Sequence, residues 1–340
     1  MSERVAILAH EKFPDRSKTA NGLLRYGDRE VVAVLDRDRA GDGVADHLPG
    51  VGDAPIVGSF ADVPGAVDRL VVGIAPIGGG FDESWRPDVR AAIEAGCDVS
   101  AGLHYFLSED EEFAALAAEH GVDLHDVRRP HDELTVSGAR AADVDAAVVL
   151  TVGTDCSVGK MTATMELAAA AEDAGVDARV VPTGQTGIMI EGWGNPIDRV
   201  VSDFTAGAVE EMVLEVGDDH DLLIVEGQGS IVHPAYSAVT CGILHGAMPD
   251  RLVLCHEVGR EAVHGYESFD LPPVADYVDL YESLAAPVSG ADVVAGALNT
   301  SGVGSDADAE AAVDGFSRTL DAPATDPVRF DAGEIVGAIR

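Results

Sequence analysis

The chain has 340 residues with a hydrophobic fraction of 46%, which is enough to bury the cores of two domains. Its 60 acidic and 22 basic side chains give a net charge of −38, and no basic stripe for nucleic acid is visible. We interpret the acidic excess as adaptation to high salt, because at about 1 M salt the Debye length falls to roughly 3 Å and the repulsion is screened.

The N-terminal half alternates short apolar strands with helical segments. Strands are predicted at 5–8, 31–36, 55–58 and 70–76, and helices at 87–95 and 109–119. This alternation predicts a small parallel sheet with crossover helices, as in a Rossmann-like domain. Asp36 ends the second strand, as it would in a dinucleotide-binding protein. However, AHEKFPDRSKTANG follows the first strand in place of G-x-G-x-x-G, so NAD is not the expected cofactor.

A polar stretch at 128–145, broken by Pro130 and Gly138, separates this half from a second α/β series. Further strands are predicted at 146–153, 178–184, 222–229, 251–255 and 293–299, with helices at 161–174, from about Ser202 onwards, and around 305–314. The predicted fold class is therefore α/β, with a Rossmann-like N-terminal domain over 1–140 and a P-loop NTPase-like domain over 141–340.

The first residues lack the apolar core of a signal peptide, and no uncharged apolar stretch approaches the thickness of a bilayer. We therefore expect a cytoplasmic protein that has no contact with membranes. The cysteines are widely spaced and form no C-x-x-C pair; they are Cys97, Cys156, Cys241 and Cys255. Reduced thiols and no metal site are the corresponding expectations.

The strongest motif is GTDCSVGKMT, which follows a predicted strand and opens a predicted helix. Glycines let successive N–H groups point inward, the helix N-terminus adds its dipole, and Lys160 supplies a point charge. Lys160 is one of only three lysines in the chain. The residues predicted to bind the phosphate of a cofactor are Gly153, Thr154, Asp155, Cys156, Ser157, Val158, Gly159, Lys160, Met161 and Thr162.

The loop departs from the common P-loop in two ways. Five residues separate Gly153 from Gly159, one more than usual, which resembles the variant in dethiobiotin synthetase and related P-loop proteins. Met161 stands where a Ser or Thr normally ligates Mg²⁺, although Thr162 or Ser157 could compensate. Standard Mg-nucleotide geometry is therefore in doubt.

Polar residues follow other strands, at the edge where ligands of open α/β sheets bind. Glu226 is a candidate metal ligand or general base, and Arg260 is a candidate clamp for a carboxylate. The neutral groups of Thr183, Gln185 and Thr186 suit a substrate carboxylate or amide. Further candidates for the same cleft are His233, His256 and His264, with Asn299 as a reader of a purine.

Six segments in this order resemble a family of two-domain P-loop proteins, long labelled as of unknown function, that includes the D-glutamate N-acetyltransferases. They are KTANGLLRY, GTDCSVGKMT, PTGQTG, DLLIVEGQGS, CHEVGR and ALNT. The resemblance implies transfer of acetyl from acetyl-CoA to the amine of D-glutamate during D-glutamate breakdown. It is compatible with Glu226 or His233 as base, Arg260 as clamp, and the N–H groups of Gly227 and Gly229 as oxyanion donors.

Two other functions stay open from the residues alone. An ATP-dependent ligase or kinase of the dethiobiotin synthetase type, using ATP and Mg²⁺, fits the P-loop and Glu226. A nucleotide-sensing protein without turnover fits the P-loop alone. In each case the ligand is a small molecule, and a homo-oligomer is expected.

Overall fold

Runs of Val, Ile, Leu and Ala build two six-stranded sheets in which every strand pairing is parallel. A computed structural model describes residues 2–76 and 78–340. Its contacts divide the chain into two units, Met1–Pro130 with Gln185–Pro196, and His131–Gly184 with Ile197–Arg340. The predicted fold class, a Rossmann-like domain followed by a P-loop domain of α/β type, is confirmed.

The first unit has the strand order β3-β2-β1-β4-β5-β6, which is that of dinucleotide-binding sheets. Numbered along the whole chain, its strands are β1 Arg4–Leu8, β2 Glu30–Leu35, β3 Ile56–Val57, β4 Arg69–Val72, β5 Asp98–Ala101 and β6 Leu124–Asp126. Its helices are α1 Lys18–Tyr26, α2 Arg86–Glu94, α3 Glu111–His120 and α5 Gln185–Glu191. The strands at 98–101 and 124–126 were not among the sequence predictions.

Asp36, directly after β2, is buried and bonded to the backbone. The side chain is 1% exposed, and its two oxygens accept hydrogen bonds from the N–H groups of Phe13 at 3.1 Å and Asp38 at 2.9 Å. Both oxygens are thus used to fix the loop that follows β1. The expectation that NAD is not the cofactor stays a prediction.

The second unit has the strand order β14-β13-β10-β7-β9-β8. Its strands are β7 Ala147–Gly153, β8 Ala178–Val181, β9 Leu222–Val225, β10 Arg251–Glu257, β13 Asp292–Asn299 and β14 Ala324–Thr325, with a hairpin of β11 Ala262–Val263 and β12 Tyr266–Asp270. Its helices are α4 Lys160–Asp173, α6 Thr205–Val216, α7 Ser237–Ala247, α8 Val274–Ala285, α9 Asp306–Leu320 and α10 Gly333–Ile339. None of the helices described in either unit has the length and apolarity to cross a membrane.

Two local predictions were wrong. No helix was predicted between the strand at 178–184 and Ser202, yet helix α5 lies there, and its Ile188, Met189 and Ile190 are buried. A helix was predicted from about Ser202, but Ser202 opens a short 3₁₀ turn and α6 begins at Thr205, without a side-chain cap. In both places apolar contacts, rather than the polar residues at the surface, decide where the helix lies.

Glu210 on α6 holds the polar segment that precedes β7. Its carboxylate is 2% exposed and accepts hydrogen bonds from Gly138 N at 2.7 Å and from Arg140 N. Burial by itself raises the pKa of Glu210, but these backbone donors outweigh it and hold the pKa below its ordinary value. A depressed carboxyl pKa stabilises the fold at neutral pH, and this contribution is lost as the pH falls through the folded-state pKa.

We expect Glu210→Ala to lower the free energy of unfolding by about 1–3 kcal/mol, because it leaves two backbone donors without their acceptor. Urea denaturation at pH 7 measures the loss, and Glu215→Ala, an exposed glutamate of the same helix, is the control. The difference between variant and wild type should shrink at acid pH, where the wild-type carboxylate is itself protonated. An equal deficit at every pH would mean that packing, rather than the charge, is responsible.

Candidate active site

The carboxyl ends of β7, β9 and β10 form the centre of the second sheet, since β7 pairs with both of the others. The loops after these three strands therefore meet at one edge, where ligands of parallel α/β sheets bind. The P-loop begins at Gly153, the last residue of β7, and ends at Lys160. Glu226 directly follows β9, and His256 is the second-last residue of β10. The structure thus brings the P-loop, the acidic motif and the CHEVGR segment together, as predicted.

The P-loop wraps around the N-terminus of the 14-residue helix α4. Gly159 precedes the helix with φ 105° and Ser157 has φ 59°, both in the left-handed region that turns backbone N–H groups inward. Lys160 is 7% exposed, and its ammonium donates to the carbonyl of Asp155 at 2.8 Å. Inward N–H groups, a helix dipole and a buried cation make a site for a phosphate group.

Two glycines make room for the lysine. A Cβ at Gly153 would lie 2.8 Å from Lys160 Nζ, and one at Gly227 would lie 1.7 Å from the carbonyl oxygen of Thr151. Strands β7 and β9 can therefore approach closely only with glycine at 227. The N–H of Gly227 already donates to Thr151 Oγ1 at 3.1 Å, so its predicted role as an oxyanion donor would require that this bond break.

Glu226 is 3% exposed and lies against the loop that follows β8. Its Oε2 accepts from the N–H of Gly184 at 3.0 Å, and a Cβ at Gly184 would lie 3.1 Å from Oε1. Thr183 Oγ1 donates to the Glu226 carbonyl at 2.6 Å, and Gln228 Nε2 donates to the Thr183 carbonyl at 2.6 Å. Thr183 therefore adjoins Glu226, and its role in binding a substrate stays a prediction; Gln228 was missed by the sequence reasoning.

Gln185 and Thr186 were predicted to share a binding turn with Thr183, but they group with the first unit. Thr186 Oγ1 lies 2.9 Å from Thr19 Oγ1 of the KTANGLLRY segment. The Gln185 side chain packs on Gly102, where an added Cβ would lie 2.7 Å from Gln185 Cγ. Within the second unit, therefore, Thr183 is the member of this predicted set that adjoins Glu226.

Arg260 is engaged in ion pairs. Its Nε donates to Glu257 Oε2 at 3.0 Å, and its Nη1 lies 3.6 Å from the carboxylate of Asp155. Asp155 is 1% exposed and also accepts from the N–H groups of Cys156 and His264, each at 2.7 Å. This network ties the P-loop to the segment after β10, so the predicted clamp for a substrate carboxylate already has acidic partners.

The resemblance implies acetyl-CoA and D-glutamate as substrates. We expect Arg260→Ala to raise the KM for both by similar factors and to lower the free energy of unfolding by about 1–3 kcal/mol, because charge-assisted hydrogen bonds are lost. Steady-state kinetics with each substrate varied in turn, together with thermal unfolding, measure both effects. Arg318→Ala, on helix α9, controls for the loss of one positive charge. A KM increase confined to the acidic substrate would instead establish Arg260 as a substrate clamp.

The geometry distinguishes the two predicted general bases. His233 is 1% exposed, and its Nδ1 accepts from the N–H of Ala235 at 3.1 Å, which assigns the ring proton to Nε2. Nε2 lies 3.4 Å from the carbonyl oxygen of His264. A proton could be taken up only at Nδ1, by breaking the bond to Ala235, so Glu226 is the better placed base.

His256 and Tyr281 support the P-loop from the neighbouring strand and from α8. The Nδ1 of His256 lies 2.8 Å from Thr154 Oγ1, and burial lowers the pKa of His256, so the imidazole is neutral near pH 7. Tyr281 is fully buried, donates to the carbonyl of Gly153 at 2.7 Å and accepts from Ile231 N at 3.1 Å. Burial raises the pKa of Tyr281 to about 12, which keeps it a donor.

Asn299, at the end of β13, adjoins the P-loop. Its Cβ lies 3.7 Å from the position of a Cβ at Gly159, and its Oδ1 accepts from Ser301 N at 3.0 Å. The side chain is thus held in place beside the phosphate loop. Its predicted role in reading a purine stays a prediction.

One cluster of metal-ligating side chains lies within the described residues. Asp155, Cys156 and His233 each offer a ligand atom within 4.8 Å of the others. However, Asp155 accepts two backbone hydrogen bonds, and His233 Nδ1 accepts one from Ala235. A metal would have to displace these bonds, so the cluster is accounted for by hydrogen bonding.

Comparison with known proteins agrees with the two-unit structure. Residues 37–130 match a Rossmann-like domain of unknown function (DUF1611_N), and residues 135–336 match a P-loop domain of unknown function (DUF1611_C). The chain belongs to the DUF1611 family. A crystal structure of a DUF1611 family protein from Anabaena variabilis is 36% identical, covers 99% of both chains and has a TM-score of 0.93.

Two curated relatives of this DUF1611 chain carry a named activity. A D-glutamate N-acetyltransferase from Tritonibacter scottomollicae is 38% identical over 271 residues, which are 79% of this chain and 80% of the relative. A D-glutamate N-acetyltransferase from a Pseudoalteromonas species is 36% identical over 269 residues, or 78% and 80%. The similarity therefore extends over most of each protein.

In this DUF1611 protein, Met161 is 4% exposed in the first turn of α4. A thioether is a poor ligand for Mg²⁺, which prefers oxygen. Thr162, the next residue, is partly exposed. The loop therefore keeps the phosphate-binding elements of a P-loop but lacks a hydroxyl at the usual magnesium position.

Proposed function

We propose that this protein is an N-acetyltransferase that transfers the acetyl group of acetyl-CoA to the amino group of D-glutamate, as a step in D-glutamate breakdown. The observation that carries the proposal is the 36–38% identity, over about four-fifths of each chain, to two proteins named for this reaction. The P-loop adds chemical support. Acetyl-CoA carries phosphate groups, and Lys160 with Met161 suits a phosphate that needs no magnesium.

Two chemical needs of acetyl transfer, a phosphate site for the donor and a base for the amine, have candidates in the second unit. The P-loop and Lys160 hold a phosphate of the donor. Glu226 takes a proton from the substrate ammonium, and the free amine then attacks the thioester carbonyl carbon. A C–N bond forms, the C–S bond breaks, and coenzyme A leaves as a thiol with the proton that the new amide nitrogen loses. The buried position of Glu226 beside Gly184 fixes its orientation for that proton transfer.

The direct test is thiol release by the purified protein with acetyl-CoA and D-glutamate at about 2 M KCl, a salt concentration at which charges on the surface are screened. Reactions with L-glutamate and without an amine are the controls, and mass spectrometry identifies N-acetylglutamate. Thiol release that requires D-glutamate supports the proposal. Absence of release under all salt conditions would exclude it.

An ATP-dependent ligase or kinase is the second candidate, because Glu226 follows β9 at the sheet edge where a carboxylate could hold a metal. Gly227, the next residue, would place a Cβ only 3.5 Å from Lys160 Cδ. Formation of ADP with Mg²⁺ and a panel of small carboxylates and amines tests it. Magnesium-dependent ADP formation without thiol release from acetyl-CoA would favour this function over acetyl transfer.

We also propose that the acidic surface adapts the protein to a cytoplasm of high salt, because salt screens the repulsion that a net charge of −38 produces. Thermal unfolding temperature is expected to rise between 0.1 and 2 M KCl, since the Debye length shrinks from about 10 Å to less than about 3 Å over this range. Sucrose at matched osmolality is the control. An equal rise in sucrose would attribute the effect to exclusion of solutes rather than to charge screening.

A further inference from the structure

A cavity of about 340 Å³ lies beside the P-loop in the second unit. Its walls come from the P-loop, the end of β10 and the N-terminal turn of α8, and they comprise Thr154, His256, Arg260, Glu261, Leu271, Pro272, Pro273, Val274 and Tyr277. This volume is within the range of about 300–1,000 Å³ that is typical of small-molecule sites. Thr154 belongs to both the P-loop and the cavity wall, so the cavity adjoins the phosphate-binding loop.

Tyr277 is the unexplained group of this cavity. The residue is 0% exposed, and its hydroxyl has no hydrogen-bond partner in the part of the chain that the structure describes. Burial raises the pKa of Tyr277 well above its ordinary value, so the hydroxyl remains a protonated donor. A buried hydroxyl without a partner is unfavourable, and an acceptor on a ligand that fills the cavity would satisfy it.

The charges around the cavity disfavour a phosphate there. Arg260 is the cation among the lining residues, and it is paired with Glu257 and lies 3.6 Å from Asp155. Glu261 adds a further acidic group to the wall. Four other lining residues are aliphatic, namely Leu271, Pro272, Pro273 and Val274. The cavity therefore suits a neutral group with apolar surface and a hydrogen-bond acceptor.

The aromatic rings of the cavity are not arranged to stack a nucleobase. The ring of His256 already stacks on Phe316 at 5.8 Å between centroids, and that of Tyr277 on Tyr281 at 6.5 Å. Tyr277 is 0% exposed and Phe316 covers one face of the His256 ring, so little ring surface is open for stacking. An aliphatic, amide-bearing chain needs no exposed ring face and offers carbonyl acceptors to a hydroxyl donor.

We propose that this cavity binds the pantetheine arm of the acyl-CoA donor, with Tyr277 as hydrogen-bond donor to one of its amide carbonyls. The inference rests on the proposed function and adds to it a subsite for the neutral part of the donor. Phosphate groups bind at the P-loop, and the arm enters the cavity past Thr154. Tyr277 is then a binding residue whose hydroxyl is paired only when the donor is present.

Two substitutions and one control test the proposal by calorimetric titration at 2 M KCl. Tyr277→Phe removes the hydroxyl alone, Val274→Trp fills the cavity, and Leu280→Trp adds the same bulk at an exposed position of α8. The probes are coenzyme A and adenosine 3′,5′-bisphosphate, which has the nucleotide half without the arm. We expect Tyr277→Phe to weaken coenzyme A binding about tenfold, the value of one buried hydrogen bond, and to leave the bisphosphate unchanged.

Stability separates this role from a structural one. Without ligand, Tyr277→Phe should unfold at the same or a higher temperature than wild type, because it removes an unsatisfied group. Val274→Trp should lose coenzyme A while still binding the bisphosphate, and Leu280→Trp should behave as wild type. Equal weakening of both probes by Tyr277→Phe would place the adenine in the cavity and overturn the proposal.

The remaining outcomes distinguish this inference from the function on which it rests. Wild-type affinity of both cavity variants for coenzyme A would overturn the subsite and leave acetyl transfer intact. A wild-type protein that binds ATP but not coenzyme A would overturn the proposed acetyl transfer, and with it the subsite for the pantetheine arm.

Discussion

Glu226→Gln is expected to lower kcat by about 10²–10⁴-fold, the contribution typical of a positioned general base, while the Kd for coenzyme A stays unchanged. Glutamine is the informative substitution because its amide oxygen can still accept the hydrogen bond from Gly184 N, which is 3.0 Å from the carboxylate. The position of β9 and its loop is then preserved. What is lost is the ability to take a proton from the substrate amine.

Steady-state kinetics give kcat, and titration with coenzyme A gives the Kd of the same protein sample. Glu215→Gln, an exposed glutamate on α6, is the matched control and should retain full activity. Retention of kcat in Glu226→Gln would move the base to another residue. A parallel loss of coenzyme A affinity would show that Glu226 acts mainly by holding the loop around Gly184, or that it binds the cofactor through a metal.

The P-loop was predictable because its parts are contiguous in the chain. A strand, a glycine-bounded loop and a helix fix most of their geometry locally, and Lys160 stands at the helix start by sequence alone. Glu226 was predictable for a related reason. The residue after a fully apolar strand lies at the carboxyl edge of a parallel sheet, whatever the loops elsewhere.

The partners of these residues depend on long-range contacts that the sequence does not display. Thr183 and Thr186 are three residues apart, yet Thr183 groups with the second unit and Thr186 with the first, where helix α5 buries Ile188 and Ile190. Arg260 looks like a free cation in a chain with 60 acidic residues, but the same excess of acid supplies its ion-pair partners. Charge balance therefore limits the inference from an isolated basic residue.

Tyr277 and Tyr281 were missed, although the sequence contains a usable signal. They are four residues apart in VADYVDLYESLA, so they lie on one face of α8, while the intervening positions are largely acidic or exposed. Two tyrosines on the buried face of a helix need hydrogen-bond partners. Tyr281 has them in Gly153 and Ile231, and Tyr277 lacks one among the described residues.

Lys160→Ala is expected to weaken binding of acetyl-CoA by about 10–100-fold, the value of charge-assisted hydrogen bonds to a phosphate. The buried lysine side chain packs against Gly153 and Gly227, and its ammonium donates a hydrogen bond to the carbonyl of Asp155. Screening by salt is weak for a buried charge, so the loss should persist at 2 M KCl. Stability should change little, because the substitution also removes the cost of burying the cation.

Lys18→Ala provides the matched control, since it removes one of the other two lysines from an exposed position on α1. Lys160→Arg should not restore affinity. The lysine nitrogen lies so close to Gly153 that a Cβ added there would be only 2.8 Å from it, so a wider guanidinium has no space. Titration with coenzyme A measures all three variants. Wild-type affinity in Lys160→Ala would remove the P-loop from the donor site, because no other lysine in the second unit can replace the lost charge.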